Sequence, residues 1–332
     1  MNNKFLASRR SLVLASLAGV ALTLPTVAFA AWPERPIKLV VPYPPGGATD
    51  VIGRIVAQRL STNLGQQVVI ENKGGAGGNI GADAVAKAPA DGYTLLMAAM
   101  TSHSTMATLE KGKLKYDILK DLTAIQVIGF VPLVFVTNPT VPATTFQQLV
   151  DYTKANPTKI SYASSGAGAP QRMAVEMFRK RVGVDLVHVP YKGSGPAMTD
   201  LVGGQVQLMA ETVPAALQMI KAGKVRALAV TTPQRVSMLS DIPTVEESGW
   251  SDFDVVSTFG VMAPAGTPVD VLNRLNAELG KIMQDPAAKA QFLQQGVFTL
   301  NPMTAPQASA RLNAEVSKWA TVISDAGIKA DE

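Results

Sequence analysis

The 332-residue chain contains no cysteine, two histidines and few aromatic residues (6%). The absence of cysteine excludes thiol catalysis, disulfides, iron–sulfur clusters and thiolate zinc sites. Two histidines are too few for a three-histidine metal centre. Residues 1–30 carry three basic and no acidic side chains, which leaves 27 basic against 25 acidic residues in the rest of the chain. That balance, without a basic cluster, argues against a nucleic-acid-binding protein. We expect no metal site and no cofactor.

The first thirty residues have the pattern of a secretory signal peptide. Three basic residues precede an apolar stretch over 12–24, and Ala28-Phe29-Ala30 has small residues where signal peptidase cuts. The alternative is a membrane anchor, but a spanning helix needs about 20 apolar residues and this stretch is shorter. Cleavage after Ala30 predicts a mature protein in the periplasm. Because Arg9-Arg10 resembles a twin-arginine signal, both the Sec and the Tat export routes stay open.

Apolar segments with strand character alternate with helical patterns along the mature chain, which predicts an α/β protein with mostly parallel sheets. Residues 267–327 instead have helical patterns throughout. Two long apolar segments, 122–136 and 253–262, are suited to cross between two lobes. We therefore expect two lobes with two crossover segments and a hinge between them. The predicted division is 31–133 with 255–332 for lobe 1, and 134–254 for lobe 2.

Two glycine-bearing turns each lead from a predicted strand into a predicted helix. Glycine lets the backbone approach a ligand closely. The first N–H groups of a helix have no intrahelical partner and lie at the positive end of the helix dipole. Each turn can therefore bind an anion, although an ordinary strand-to-helix connection is the alternative. The candidate ligand-binding residues are Tyr43, Gly46, Gly47, Ala48, Thr49 and Asp50 in the first turn and Ser164, Ser165, Gly166, Ala167, Gly168 and Ala169 in the second.

Further polar residues lie near the expected strand ends. Arg172 falls in the first turn of a helix, where a cation is unfavourable by about 0.3–1 kcal/mol unless an anion occupies the helix end. It therefore either contacts a bound acid or extends into water. His103 either donates to a ligand or caps a helix, and Glu211 either holds water in the cleft or caps the following turn. We expect His188 to be a core residue. The additional candidates are Thr101, Ser102 and His103 in a hydroxyl-rich loop, Arg172, Tyr191 and Glu211.

Motifs of common enzymes are missing from the sequence: the P-loop, a complete Rossmann fingerprint, G-x-S-x-G and H-E-x-x-H. An exported hydrolase that uses Ser164 or Ser165 with His103 stays a hypothesis, which requires the hydroxyl and the imidazole within hydrogen-bond reach. Two opposed anion-binding turns favour a receptor for a small carboxylate. Neutral amide donors hold a carboxylate without part of the desolvation penalty of a buried ion pair.

Long stretches of the chain resemble the periplasmic solute receptors of tripartite tricarboxylate transporters, the TctC or Bug family. They read WPERPIKLVVPYPPGGATD from Trp32, ENKGGAGGNIGADAVAKAPADGYTLL from Glu71, VPYKGSGPAMTDLVGG from Val189 and IKAGKVRALAVTTPQRVSMLSDIPTVEESG from Ile220, together with Tyr162 to Gly168. The resemblance implies a two-lobed periplasmic-binding-protein fold (Venus flytrap, type II-like) without catalysis. It also implies that the PPGGATD and SSGAG loops grip a carboxylate.

The same resemblance implies partners: a small organic acid, and the membrane permease subunits of a tripartite transporter that receive it. We expect a monomer, and signalling to a sensor kinase is the alternative use of the same binding. Three features depart from the family pattern: Arg172, the segment 102–107 and Glu211. Met100 and Met106 would form an adaptable apolar wall. With Arg172 on a second carboxylate, the site would accept an aromatic or longer aliphatic dicarboxylate.

Overall fold

The computed structural model describes residues 32–157 and 159–330. Residues 1–34 and 35–332 form two separate units, and every helix and strand given below lies in the second unit. The predicted signal peptide, residues 1–30, lies outside the described residues.

Strands and helices alternate through most of the described chain, as the sequence predicts. The strands are β1 (Ile37–Val41), β2 (Val68–Asn72), β3 (Thr94–Ala99), β4 (Leu122–Thr137), β5 (Ser161–Ser164), β6 (Val187–Pro190), β7 (Leu208–Thr212), β8 (Arg226–Val230), β9 (Val256–Pro264) and β10 (Phe298–Thr299). The helices are α1 (Ala48–Leu64), α2 (Asn79–Ala86), α3 (Met100–Leu109), α4 (Phe146–Ala155), α5 (Pro170–Val182), α6 (Ser194–Val202), α7 (Val213–Lys221), α8 (Val269–Gln284), α9 (Pro286–Gln294) and α10 (Ala305–Ala326). None of these helices has both the length and the hydropathy that crossing a membrane requires.

The strands join in one mixed sheet with the order β2-β1-β3-β9-β4-β7-β5-β6, while β8 and β10 pair with β4. Both flanks of the sheet are parallel. β1 pairs in parallel with β2 and β3, and β5 pairs in parallel with β6 and β7. The centre is antiparallel, because β9 and β4 run against each other and against their outer neighbours. The expectation of mostly parallel pairing thus holds for the flanks alone.

The two predicted crossover segments are the two long central strands. β4 pairs with β9 from Leu122 opposite Pro264 to Pro132 opposite Val256. β4 then continues beyond β9 and pairs with β7 and β8 over residues 133–137. Nearly every residue of β4 is buried, which explains why its sequence is a long and mostly apolar run rather than an alternating one.

The core clusters connect distant parts of the chain. One cluster joins β1, β3 and β9 with the first half of α10. Another joins β5, β7, α4 and α5, and it includes Trp319 and Ile323 from the second half of α10. The end of α10 therefore packs with the segment 134–254, although the sequence analysis places residues 255–332 in lobe 1. The division into 31–133 with 255–332 and 134–254 stays a prediction.

Local sequence accounts for most element boundaries. Thr304 and Gln307 form the predicted capping box at the start of α10, and Asp285 caps α9 through the N–H groups of its first turn. One expectation was wrong: residues 101–105 do not form a loop after β3. They belong to α3, which begins at Met100 directly after β3 ends, because no glycine or proline interrupts the chain there and the segment is almost wholly buried.

Candidate ligand-binding site

A cavity of about 700 Å³ opens at the ends of several strands, within the range typical of small-molecule sites. None of the described residues that line it carries an Asp, Glu, Lys, Arg or His side chain. One part of its wall is apolar and comes from Val131, Phe259 and Val297. The predicted site residues that line it are Tyr43, Gly46, Gly47, Ala48, Thr49, Ser102, Ser165, Gly166, Ala167, Gly168 and Ala169.

Four helices start at the wall of this cavity. The residues that precede α1, α5, α6 and α7 are Gly47, Ala169, Gly193 and Thr212, and all four line the cavity. None of them caps its helix with a side-chain hydrogen bond. The N–H groups of each first turn therefore lack an intrahelical or side-chain cap partner. Because the helix dipoles add partial positive charge at these ends, the uncharged wall still attracts an anion.

The carboxylate of Asp50 shapes the first turn from behind the cavity wall. Its Oδ2 accepts the N–H of Gly46 at 3.0 Å, and its Oδ1 accepts Nδ2 of Asn72 at 2.8 Å. Arg54 donates to both oxygens at 2.9 Å. Burial raises the pKa of Asp50, but the hydrogen bonds from Arg54, Gly46 and Asn72 outweigh burial and leave the pKa below its usual value. The structure thus places Asp50 in the first turn of α1 and outside the cavity lining, where its carboxylate binds the Gly46 N–H.

Ser102 is the residue of the 101–103 segment that lines the cavity, since successive helical residues point about 100° apart. The Thr101 hydroxyl binds the carbonyl of Val256 and lies away from the wall. His103 is buried and its Nδ1 donates to the carbonyl of Ala99 at 2.8 Å. Burial lowers the pKa of His103, although the Ala99 hydrogen bond opposes this. His103 is therefore a neutral packing residue behind the wall.

Tyr43 contributes a neutral hydroxyl to the wall. Its Oη donates to the carbonyl of Gly77 at 2.9 Å, and its ring lies edge-on to His103 with centroids 6.5 Å apart. Burial raises the pKa of Tyr43 to about 12, more than the hydrogen bond with Ser102 lowers it. The hydroxyl therefore stays protonated at neutral pH and adds no negative charge to the cavity.

The second turn is held by contacts from helix α3. The Thr105 hydroxyl donates to the carbonyl of Gly168 at 2.6 Å. A Cβ at Gly168 would lie 2.6 Å from Cγ and Sδ of Met106, so this close approach requires glycine. Met106 itself lines the cavity, whereas Met100, the other residue of the predicted apolar wall, is fully buried and does not line it. Ser164 is buried and is not part of the lining.

Arg172 lies behind the second turn rather than in the cavity wall. Its guanidinium is buried and donates to the carbonyl of Ala167 at 3.3 Å and to that of Lys329 at 3.0 Å. The side chain thus runs from the ligand loop to the C-terminal segment. Arg172 does not line the cavity, so this geometry does not place its guanidinium against a ligand carboxylate.

Tyr191 and Glu211 also lie outside the lining. The Tyr191 hydroxyl donates to Asp200 at 2.6 Å. Glu211 is fully buried, and its Oε1 accepts the N–H of Thr212 at 2.6 Å and Nε2 of Gln171 at 3.1 Å. Thr212 and Gln171 line the cavity. The Glu211 carboxyl, to which both residues donate, therefore lies one hydrogen bond behind the cavity wall. Burial raises the pKa of Glu211.

The sequence analysis missed a group of lining residues at the starts of α6 and α7. Tyr191 was a predicted site residue, yet the structure brings Gly193 and Ser194, which follow it closely in the sequence, to the wall. The Thr-x-Pro pattern before α7 has proline near the first helical position and was the available signal. No sequence signal marked the apolar residues, because whole strands are apolar. The missed lining residues include Gln171, Gly193, Ser194, Thr212, Pro214, Ala215, Val131, Phe259, Gln295 and Val297.

The serine–histidine pairing proposed for a hydrolase is not formed. The Ser164 hydroxyl lies 2.7 Å from Nε2 of His188, while His103 is bound to Ala99. His188 is half-buried on strand β6 at the edge of the sheet, so the expectation of a core histidine was wrong. Its ring stacks on Tyr162.

Comparison with known proteins identifies the family. The model of the tripartite tricarboxylate transporter family receptor matches residues 52–328. Protein BugT of Bordetella pertussis is 37% identical over 319 residues, which cover 94% of this chain and 98% of BugT. The structure of periplasmic binding protein BugD is 38% identical with a TM-score of 0.77, covering 90% of this chain and 99% of BugD. An R. palustris protein with adipate is 34% identical with a TM-score of 0.80, covering 90% and 99%.

The matches extend over nearly the whole described chain and over nearly the full length of each relative. The structural matches agree with the α/β fold described above. This chain therefore belongs to the tripartite tricarboxylate transporter receptor family, a family of periplasmic solute-binding receptors.

Proposed function

We propose that this protein is an extracytoplasmic receptor without catalytic activity, which binds a small organic dicarboxylate in the cavity and delivers it to a tripartite tricarboxylate-type permease. The observation that carries the proposal is the convergence of four helix N-termini on a wall without charged side chains. Such an arrangement supplies many neutral N–H donors and no permanent countercharge. It suits an anion that must be held and then released.

The remaining wall favours a carbon chain between two acidic groups. Val131, Phe259 and Met106 give one side an apolar surface, which gains free energy by covering methylene groups, at about 0.8 kcal/mol per buried CH₂. One carboxylate cannot use the donors of four helix ends, so a second acidic group is the better match. The relative with adipate is consistent with a ligand of this size and class.

The first experiment is a ligand screen on protein freed of co-purifying acids by unfolding, dialysis and refolding. Acetate, hexanoate, benzoate, malate and adipate are tested by thermal shift, and 1,6-hexanediol is the uncharged control for adipate. A ligand at a hundredfold excess over its Kd stabilises the fold by about 2.7 kcal/mol. We expect a dicarboxylate to stabilise more than its monocarboxylate analogue and the diol to have no effect. A screen in which no acid stabilises the protein contradicts the proposal.

The second experiment tests delivery and addresses localisation. We expect the cleaved protein in the periplasm as a monomer, and we expect it to retain permease subunits from detergent-solubilised membranes when the acid is present. Recovery of a sensor kinase in place of the permease would assign the same binding to signalling.

A further inference from the structure

A carboxyl group that the proposed function does not use lies directly behind the cavity wall. Glu211 is the fourth residue of β7 and its side chain is fully buried. Oε1 accepts two hydrogen bonds, from Thr212 and from Gln171. Oε2 is buried and has no hydrogen-bond partner. A buried carboxylate oxygen without a donor costs free energy, and a proton on the group relieves part of that cost.

The elements packed around Glu211 present neutral groups to it. Helix α5 contributes the amide of Gln171, and the start of α6 contributes the hydroxyl of Ser194. Thr212, the residue before helix α7, contributes its backbone N–H, and Lys221 lies in the last turn of α7. Strand β4 places Val134 opposite Glu211, and its residues 133–137 are uncharged.

The charged and titratable side chains of these elements are bound elsewhere. On α5, Arg172 binds the carbonyls of Ala167 and Lys329, and Glu176 binds Tyr162 and Arg179. On α6, Asp200 accepts the hydroxyl of Tyr191, and Lys192 before this helix is exposed. On the neighbouring β5 and β6, Ser164 and His188 bind each other. No ion pair of the described residues involves Glu211.

We propose that Glu211 takes up one proton when an anion fills the cavity, so that carboxylate affinity depends on its protonation. The proposal rests on the proposed function. A ligand that contacts Gln171 or Thr212 lies two hydrogen bonds away from the Glu211 carboxyl. Two negative charges so close, with neutral groups alone between them, disfavour joint ionisation. Protonation of Glu211 removes this repulsion.

The state of the free protein favours this response. Burial already raises the pKa of Glu211, and the neighbouring polar groups of Ser194, Thr212 and Gln171 oppose burial only in part. A bound anion raises this pKa further. Linkage then makes binding stronger as the pH falls, by at most tenfold per pH unit for one proton.

The test compares the wild type with Glu211→Gln by calorimetric titration of adipate at pH 6, 7 and 8, in PIPES and in imidazole, which both buffer over this range. These buffers differ in ionisation enthalpy, so the difference in heat counts the protons taken up. We expect the wild type to take up a proton and to lose affinity as the pH rises. We expect Glu211→Gln to take up no proton and to have a flat affinity. The wild type and Glu211→Gln contain the same two histidines, so any protons that the histidines take up cancel when the two proteins are compared. A flat wild type, or an unchanged slope in Glu211→Gln, overturns the proposal.

A ligand-free measurement separates this proposal from the proposed function. The stability of the wild type relative to Glu211→Gln is measured by urea unfolding between pH 5 and 8. A carboxyl whose folded pKa is raised loses stability as the pH rises through that pKa, so the wild type should weaken relative to the variant. Parallel curves refute the titration of Glu211. If these curves diverge while no acid binds either protein, the proposed function fails instead.

Discussion

Placing a carboxylate at Gly47 should block ligand binding while leaving the fold intact. Gly47 precedes α1 with φ −79° and ψ 168° and provides no side-chain cap, a backbone conformation typical of Asp at this position. A Cβ there meets no atom closer than 4.0 Å. In Gly47→Asp, the new carboxylate accepts the N–H groups that we assign to the ligand. It also repels a ligand carboxylate about 4 Å away by about 4 kcal/mol, taking an effective dielectric constant of 20. That energy corresponds to about a thousandfold weaker affinity.

The assay combines calorimetric titration with urea unfolding, using the acid found in the ligand screen. Gly47→Ala is the matched control, since it adds a Cβ without a charge and should bind within a few-fold of the wild type. Unfolding of the ligand-free Gly47→Asp protein should show equal or slightly greater stability, by a few tenths of a kcal/mol, because Asp is a better cap than Gly. If Gly47→Asp binds the acid as tightly as Gly47→Ala does, the helix α1 terminus is not the anion site.

Asp50→Ala should destabilise the protein by about 2–3 kcal/mol at pH 7 in urea unfolding, because Gly46 and its other donors lose a buried carboxylate. This difference should shrink as the pH falls through the lowered pKa of Asp50; a constant difference contradicts the assignment. Thr105→Val should weaken ligand binding and cost about 1 kcal/mol of stability, since the Gly168 carbonyl loses its donor, whereas Thr105→Ser should retain both. Amino-terminal sequencing of exported protein should begin at Ala31; an intact Met1 contradicts cleavage.

Backbone features of the site were predictable from the sequence because they depend on local residue choice. Glycine and proline after a short apolar run fix the strand-to-helix turns at Gly46-Gly47 and at Gly166–Pro170, and the structure has both turns at the cavity. The segment 101–105 shows the limit of the same reasoning. Hydroxyl residues favour loops in isolation, but in α3 they are held by burial and by contacts such as that of Thr101 with Val256.

Side-chain roles were less predictable, because they depend on partners far away in the sequence. Tyr191 is close to a cavity loop, yet Asp200 on the following helix binds its hydroxyl. Arg172 lies in the first turn of a cavity helix, yet Lys329, 157 residues further on, provides a carbonyl for it. Neither partner can be identified from composition or periodicity, since both contacts exist only once the helices have packed.

Two charged residues that the sequence analysis offered as ligand contacts bind peptide groups of the cavity loops. Asp50 holds the Gly46 N–H, and Arg172 holds the Ala167 carbonyl. In a trans peptide the carbonyl and the following N–H point in opposite directions, so binding the Ala167 carbonyl from behind turns the Gly168 N–H away from Arg172. A charge in this position orients neutral donors without pairing with the ligand itself. The residues behind the wall therefore determine which amides a ligand meets, while the wall keeps the low charge that permits release.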